Sequence, residues 1–98
     1  MRVRFFANLR SLTGCAETDV PYRETAGALA LSLCEKYGDK LRLKIFSPAS
    51  GEGKEGEEKF NSEIIILVNG RHVSHLGGFH APLQPDDRVD VFPMVAGG

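Results

Sequence analysis

The sequence predicts an α+β fold in which a mixed sheet of four or five strands carries one main helix across one face. Three observations lead to this fold class. Apolar and polar residues alternate over residues 2–9, a single long helical pattern covers residues 25–37, and short strand patterns follow at residues 64–68 and 88–92. A chain of 98 residues has room for one hydrophobic core, so we expect a single domain over residues 1–93.

The first half of the chain carries two strand patterns and the main helix. Over residues 2–9, one face of the predicted strand collects the apolar residues Val3, Phe5, Ala7 and Leu9. Residues 17–20 predict a short second strand. Thr25 is a favourable N-cap for the main helix, which we expect to end at Gly38. A further short helical turn is predicted over residues 41–46.

The second half of the chain predicts three more strands. Residues 64–68 are mostly β-branched and lead into Asn69-Gly70, a strong signal for a tight turn. Residues 71–73 would then return as the next strand, and residues 88–92 alternate as the last one. One helix lying across a mixed sheet in this order is the β-grasp arrangement.

An insertion separates the helical region from these strands. Residues 47–62 are rich in glycine and charge and have little apolar surface to bury, so we expect them to be flexible. Residues 51–56 fit the spacing G-x-G-x-x-G, but that fingerprint needs a strand before it and a helix after it. Glu55, Glu57 and Glu58 would also repel a phosphate. We therefore interpret the segment as a solvated linker.

Composition excludes several classes of function. A net charge of -1 gives no strong field to hold nucleic acid or an anionic membrane, and no apolar run is long enough to span a bilayer. Without a signal-peptide pattern, we expect a cytoplasmic protein whose Cys15 and Cys34 are reduced thiols. His72, His75 and His80 match no common zinc spacing, so no metal site is predicted.

Two features point instead to a protein partner. Phe6 and Phe92 fall on the polar faces of the first and last strands, which are parallel neighbours in a β-grasp sheet, so we expect an exposed aromatic patch. From Pro93 onward the sequence predicts a flexible arm that could extend about 20 Å. Gly97 and Gly98 have no Cβ, so they could enter a channel too narrow for other residues.

These motifs together resemble the small subunit of molybdopterin synthase, a ubiquitin-like sulfur carrier. The resemblance covers nearly the whole chain and is carried by the segments Phe5-Phe6-Ala7-x-Leu9-Arg10, Leu83-x-x-Asp86-Asp87-x-Val89 and Phe92-Pro93-x-Val95-x-Gly97-Gly98. It implies a β-grasp (ubiquitin-like) domain followed by an extended Gly-Gly arm over residues 94–98. It also implies a carrier with no catalytic activity of its own.

The resemblance further implies a role for each site residue. Gly98 would be adenylated and converted to a thiocarboxylate that donates sulfur to the pterin precursor. Gly97, which has no side chain, would let the end of the arm pass through a narrow channel. The implied docking residues are Phe6, Arg10, His72, Phe92, Pro93 and Val95. The implied partners are the large subunit of the synthase, an adenylating enzyme of the ubiquitin-activating type that uses ATP, and a sulfur donor. No permanently bound cofactor is implied.

Two alternatives remain open at this point. The first is a sulfur carrier for the thiazole of thiamin, which ends in a similar way but is usually a shorter chain without Phe92-Pro93. The second is a protein modifier, in which the adenylated Gly98 is joined to a lysine of a target protein. Sulfur transfer and conjugation begin with the same adenylate, so the sequence does not separate them.

Overall fold

The structure, a computed structural model, describes residues 1–46, 60–61 and 63–93. Five strands and three α-helices follow one another in the order β1 (Arg2–Phe5), α1 (Leu9–Thr13), β2 (Glu17–Asp19), α2 (Ala26–Tyr37), α3 (Asp39–Ile45), β3 (Ile64–Val68), β4 (Arg71–His72) and β5 (Arg88–Pro93). Two short 3-10 turns, Val73–His75 and Gly78–His80, connect β4 to β5. No helix in the described part of the chain is long and apolar enough to cross a membrane.

The five strands form one mixed sheet in the order β2-β1-β5-β3-β4. The central pair, β1 and β5, is parallel, and the other neighbouring strands are antiparallel. The helix α2 crosses one face of this sheet, where Val3, Phe5, Val89 and Val91 are almost completely buried. The predicted β-grasp fold is confirmed, with five strands.

The main helix begins and ends where the sequence predicts. The Thr25 hydroxyl accepts a hydrogen bond from the Ala28 N–H at 3.2 Å, which satisfies a donor that the first turn of α2 leaves open. Leu29 and Leu33 are buried against the sheet. Gly38 ends the helix with a positive φ of 92°.

The first strand is shorter than the sequence predicts. It ends at Phe5, because Ala7 has a φ of 56° and turns the chain out of the sheet. Residues 9–13 then form α1, which has no place in the prediction. Leu9 is buried as expected, but it reaches the core from a helix, whereas Ala7 is exposed and lies outside the core. A helix of five residues is too short for its apolar spacing to be distinguished from a strand.

The hairpin between β3 and β4 follows the predicted turn. Asn69 and Gly70 have φ values of 53° and 88°, so both turn residues are left-handed, as a two-residue hairpin turn requires. The Asn69 side-chain amide also donates to Asp87 at 2.7 Å and accepts from the Arg88 N–H at 2.9 Å, which ties the turn to the start of β5. The returning strand ends at His72, one residue earlier than predicted.

Two stacked aromatic rings, Phe46 and Phe60, stand on either side of residues 47–59, which make up most of the predicted insertion. The Phe46 and Phe60 ring centroids lie 5.6 Å apart, and the Asn61 N–H donates to the Ile45 carbonyl at 2.7 Å. Phe79 packs on both rings. Most of the predicted insertion at 47–62 and the whole predicted arm at 94–98 lie outside the described residues.

Gly27 allows the Phe79 ring to lie against α2, and this contact yields a stability prediction. A Cβ at position 27 would meet the Phe79 ring at 2.5 Å, so Gly27→Ala must displace the ring. We expect a loss of about 1–3 kcal/mol in the free energy of unfolding, measured by urea denaturation. At an unhindered helical position the same substitution stabilises by about 1 kcal/mol.

The double variant Gly27→Ala with Phe79→Leu is the control for this prediction. A smaller side chain at position 79 should make room for the new methyl group. The double variant should therefore lose less free energy of unfolding than the sum of the losses of the two single variants. An increase in stability on Gly27→Ala alone would contradict the contact.

Candidate functional site

The sheet face opposite α2, here called the outer face, carries the candidate site. Strand register sets two rows of side chains across it. The first row joins Arg4 of β1, Asp90 of β5, Leu67 of β3 and His72 of β4. In the second row, Phe92 lies opposite Ile65. On the outer face, β1 and β5 therefore present charged side chains that give way to Phe6 and Phe92 at their C-terminal ends, while the outward residues of β3, Ile65 and Leu67, are apolar.

The two phenylalanines predicted to form a patch are in contact. The Phe6 and Phe92 ring centroids lie 5.6 Å apart with an angle of 81° between the rings, an edge-to-face pair. Phe6 follows the last residue of β1, yet its N–H still donates to the Val91 carbonyl at 3.1 Å, which holds it beside β5. Both rings are half-buried.

A salt bridge in the middle of the outer face was missed by the sequence analysis. Asp90 is only 7% exposed, and Arg4 donates to its two carboxylate oxygens from Nε at 2.7 Å and Nη2 at 3.0 Å. This bidentate geometry satisfies a carboxylate that burial would otherwise penalise. The hydrogen bond and the charge of Asp90 raise the pKa of Arg4. Arg88 lies 3.9 Å from the same carboxylate.

Two guanidinium groups flank the Phe6 ring. The Cζ atoms of Arg4 and Arg10 lie 5.5 Å and 5.8 Å from the ring centroid, within the range of a cation–π contact. Arg10 also donates from Nε to the Phe5 carbonyl at 3.2 Å. The structure thus brings Arg10 and Phe6 together, as expected for residues of one surface, and adds Arg4 to them.

His72 lies on the outer face at the edge of the sheet, two strands from β5. Its Nδ1 accepts a hydrogen bond from the Ser74 N–H at 3.0 Å and so caps the following 3-10 turn. Its ring stands edge-on to His75, with centroids 6.2 Å apart. His72 is therefore a peripheral member of the face with a local structural role. Among the described residues, no three His, Cys, Asp or Glu side chains form a group that could hold a metal ion.

The remaining predicted site residues follow the Phe6–Phe92 pair along the chain. Pro93 ends β5 opposite Ile64 and is half-buried. Val95, Gly97 and Gly98 lie outside the described residues, as do the glycines at positions 51–56. Pro93, the last described residue, directly follows Phe92 of the aromatic pair in the chain.

The two cysteines lie on the helical side of the sheet, away from the outer face. Cys34 is buried in α2, and Cys15 is half-buried with its Sγ 3.4 Å from the Tyr37 hydroxyl. Burial, and then the hydrogen bond with Cys15, raise the pKa of that hydroxyl. Cys15 and Cys34 form no disulfide with each other.

A central parallel pair formed by the first and last strands, with one long helix crossing the sheet, defines a ubiquitin-like β-grasp protein. Comparison with known families makes this more specific. The model of the ThiS family matches residues 3–98, and the chain belongs to this family of ubiquitin-like sulfur carriers.

Three relatives show how far the similarity extends. The small archaeal modifier protein 3 of Haloferax volcanii is 34% identical over 102 residues, covering 100% of this chain and 98% of the relative. The solution structure of the small archaeal modifier protein 1 of Methanosarcina acetivorans is 34% identical with a TM-score of 0.83, covering 99% and 94%. A Pyrococcus furiosus protein assigned as molybdopterin converting factor, subunit 1, is 26% identical with a TM-score of 0.66, covering 96% and 95%.

The two faces of β5 differ enough to be separated by mutation. Val91 is buried against α2, whereas Phe92 is half-buried on the outer face. Phe92→Asp should lower the free energy of unfolding by roughly 1–2 kcal/mol, since it removes part of a ring contact at the surface. Val91→Asp should cost more than about 4 kcal/mol, because it buries an unpaired carboxylate. Urea denaturation of both variants measures the difference, and equal losses would show that Phe92 belongs to the core.

Proposed function

We propose that this chain is a sulfur carrier that serves as the small subunit of a molybdopterin synthase, with Gly98 carrying the sulfur. The observation that carries the proposal is the position of the Phe6–Phe92 pair. This aromatic contact lies on the outer face where β5 ends, so one partner could bind the face and receive the residues that follow Pro93.

The proposed chemistry starts at the Gly98 carboxylate. A carboxylate is ionised at neutral pH and is a poor electrophile, so a partner enzyme must first activate it with ATP. The carboxylate oxygen attacks the α-phosphate, pyrophosphate leaves, and an acyl adenylate forms. A sulfur donor then attacks the carbonyl carbon and displaces AMP, which leaves a thiocarboxylate. Its sulfur attacks a carbon of the pterin precursor and displaces an oxygen substituent, which gives a thioester between Gly98 and the pterin. Water then hydrolyses the thioester, leaving the sulfur on the pterin and the carboxylate on Gly98. ATP and reduced sulfur donors are cytoplasmic, which supports a cytoplasmic protein.

The domain contributes binding and position to this chemistry. Phe6 and Phe92 offer apolar contact area, and Asp90 holds Arg4 in place beside them. Since β1 and β5 pair in the centre of the sheet, the docking residues are fixed relative to the point where the arm begins. Delivery of the sulfur on a docked domain gives it a high effective concentration at the partner's active site.

Two lines support the molybdopterin assignment within the family. One is the set of motifs around Phe6, Asp86 and Phe92 that resemble the synthase subunit. The other is the similarity to the Pyrococcus furiosus protein assigned as molybdopterin converting factor, subunit 1.

A second candidate function is protein modification through the same residue. It is favoured by the 34% identity, over the full length of the chain, to the small archaeal modifier protein 3 of Haloferax volcanii. In this function the adenylated Gly98 is attacked by a lysine amine of a target protein instead of by a sulfur donor. The outer face would then bind the activating enzyme alone.

Intact-mass analysis of the protein isolated from its own cells tests the two candidates. A sulfur carrier should show a fraction of chains heavier by the difference between sulfur and oxygen, located at Gly98. A modifier should show isopeptide adducts between Gly98 and lysines of other proteins. Chains with neither modification, isolated from cells in which molybdopterin is being made, would contradict both candidates.

Removal of Gly98 should abolish activation without changing stability. The described core residues lie between Val3 and Val91, so we expect the melting temperature of the truncated chain to equal that of the full chain. Formation of pyrophosphate with the activating enzyme should be lost, because the carboxylate that would accept the adenylyl group now stands on Gly97, one residue short of its proposed position. Normal adenylation of the truncated chain, or a large fall in melting temperature, would contradict the role of Gly98.

Phe92→Asp should weaken binding to the large subunit of the synthase. The loss of an aromatic anchor commonly costs about 2 kcal/mol or more, which is roughly 30-fold in Kd. Leu43→Asp is the matched control, because Leu43 is 64% exposed on α3, on the other side of the sheet. Calorimetry should show weaker binding only for Phe92→Asp, and equal effects of the two variants would place the docking surface elsewhere.

A further inference from the structure

The basic side chains of the outer face and its border that carry a permanent positive charge are arginines in the described part of the chain. The chain has seven arginines and five lysines, and every lysine lies between positions 36 and 59. The outer face and its border carry Arg2 and Arg4 on β1, Arg10 on α1 and Arg88 on β5. The lysines in the described residues, Lys36, Lys40 and Lys44, lie on α2 and α3, which cover the opposite face.

Contact geometry explains only one of these arginines. Arg2 makes a single contact with Glu17, 2.8 Å from Nε to Oε2, which an ammonium group could also make. Arg4 makes a bidentate contact with Asp90 that a lysine ammonium could not reproduce. Arg88 lies 3.9 Å from Asp90, a separation that an ammonium group could bridge equally well. Arg10 makes a single hydrogen bond to a backbone carbonyl, and its stacking on Phe6 is a contact that lysine also makes with aromatic rings.

The difference between the two side chains is their reactivity toward acyl groups. A lysine amine, with an ordinary pKa near 10.4, is partly unprotonated at mildly alkaline pH and attacks activated carbonyl carbons. A guanidinium stays protonated in proteins and is not a nucleophile. An activated C-terminal carbonyl therefore reacts with a nearby lysine, whereas a nearby arginine is inert toward it.

Position 10 lies close to the end of the described chain. The Arg10 guanidinium contacts the Phe6 ring, and that ring contacts Phe92, one residue before the end of β5. The five residues from 94 to 98 span at most about 17 Å when fully extended. An amine at position 10 would therefore compete intramolecularly for the carbonyl carbon of Gly98, with the high effective concentration of a tethered reactant.

We propose that the outer face is a lysine-free surface, on which arginine in place of lysine prevents the activated Gly98 carbonyl from acylating its own docking site. Arg10 is the position where this choice matters most. The inference rests on the proposed activation of Gly98. The reaction that it prevents would form an amide bond between Nζ and the Gly98 carbonyl carbon, expel AMP or a thiolate, and release the ammonium proton to solvent.

Substitution of Arg10 by lysine tests the proposal without any partner enzyme. The full-length chain is prepared by intein cleavage with mercaptoethanesulfonate, which leaves a C-terminal thioester on Gly98. The thioesters of the wild type, Arg10→Lys and Arg23→Lys are incubated in mildly alkaline buffer. Intact mass and peptide mapping then follow the formation of the internal amide. Arg23→Lys is the matched control. Arg23 follows the last residue of β2, which lies at the end of the sheet where β5 begins, whereas Pro93 lies at the other end of β5.

In the Arg10→Lys thioester, we expect the internal amide to form at position 10. Its rate should be at least about tenfold higher than the total rate of internal amide formation in the wild type or in Arg23→Lys, because the amine is tethered near the carbonyl. Equal rates for the three thioesters, or acylation of Arg10→Lys only at the original lysines or at the α-amino group of Met1, would overturn the proposal. A melting temperature equal to that of the wild type shows that Arg10→Lys keeps its fold. Failure of the proposed function would be detected by a different measurement, namely the absence of adenylation or other modification of Gly98 in the native protein.

Discussion

The parallel pairing of β1 with β5 is the contact on which the rest of the structure depends. It joins the first strand of the chain to the last, and its inward residues Val3, Phe5, Val89 and Val91 form the floor of the core beneath α2. The same pairing brings Phe6 beside Phe92 on the outer face. Stability and the candidate site therefore share one interaction, since a shift of one residue in the register would exchange the core side chains for the outer ones.

The buried carboxylate of Asp90 adds a second constraint to this pair of strands. A buried charge is tolerated only when it is compensated, and Arg4 supplies both hydrogen bonds from the neighbouring strand. Removal of Arg4 would leave the buried Asp90 carboxylate without both short hydrogen bonds and with only the more distant Arg88, 3.9 Å away. Since the Arg4 guanidinium also lies over Phe6, the salt bridge fixes one side of the aromatic pair that we propose as a docking surface.

The sequence predicts those parts of the fold that leave a local signal. Thr25 and Gly38 mark the ends of α2, and Asn69-Gly70 marks the hairpin, because capping and positive φ values restrict which residues can occur there. The contact of Phe6 with Phe92 is predicted because an apolar ring on a polar strand face is itself unusual.

Other parts leave no local signal and could not be predicted. The helix α1 depends on the positive φ of Ala7, which no preference of alanine indicates. The partnership of Arg4 and Asp90 joins residues 86 positions apart, and each alone looks like an ordinary polar residue of a half-exposed strand. The alternation that placed both side chains on the outer face contained no information about their pairing.

The stacked rings of Phe46 and Phe60 have a consequence for how this fold can vary. They close the segment between them at its base on the helical side of the sheet, together with the backbone bond from Asn61 to Ile45. The entropic penalty of closing a loop grows only slowly with its length. Residues can therefore be added to or removed from the segment between Phe46 and Phe60 with little change in the free energy of unfolding. Segments of very different size, even a whole grafted domain, could therefore occupy this position while the pairing of β1 with β5 stays the same.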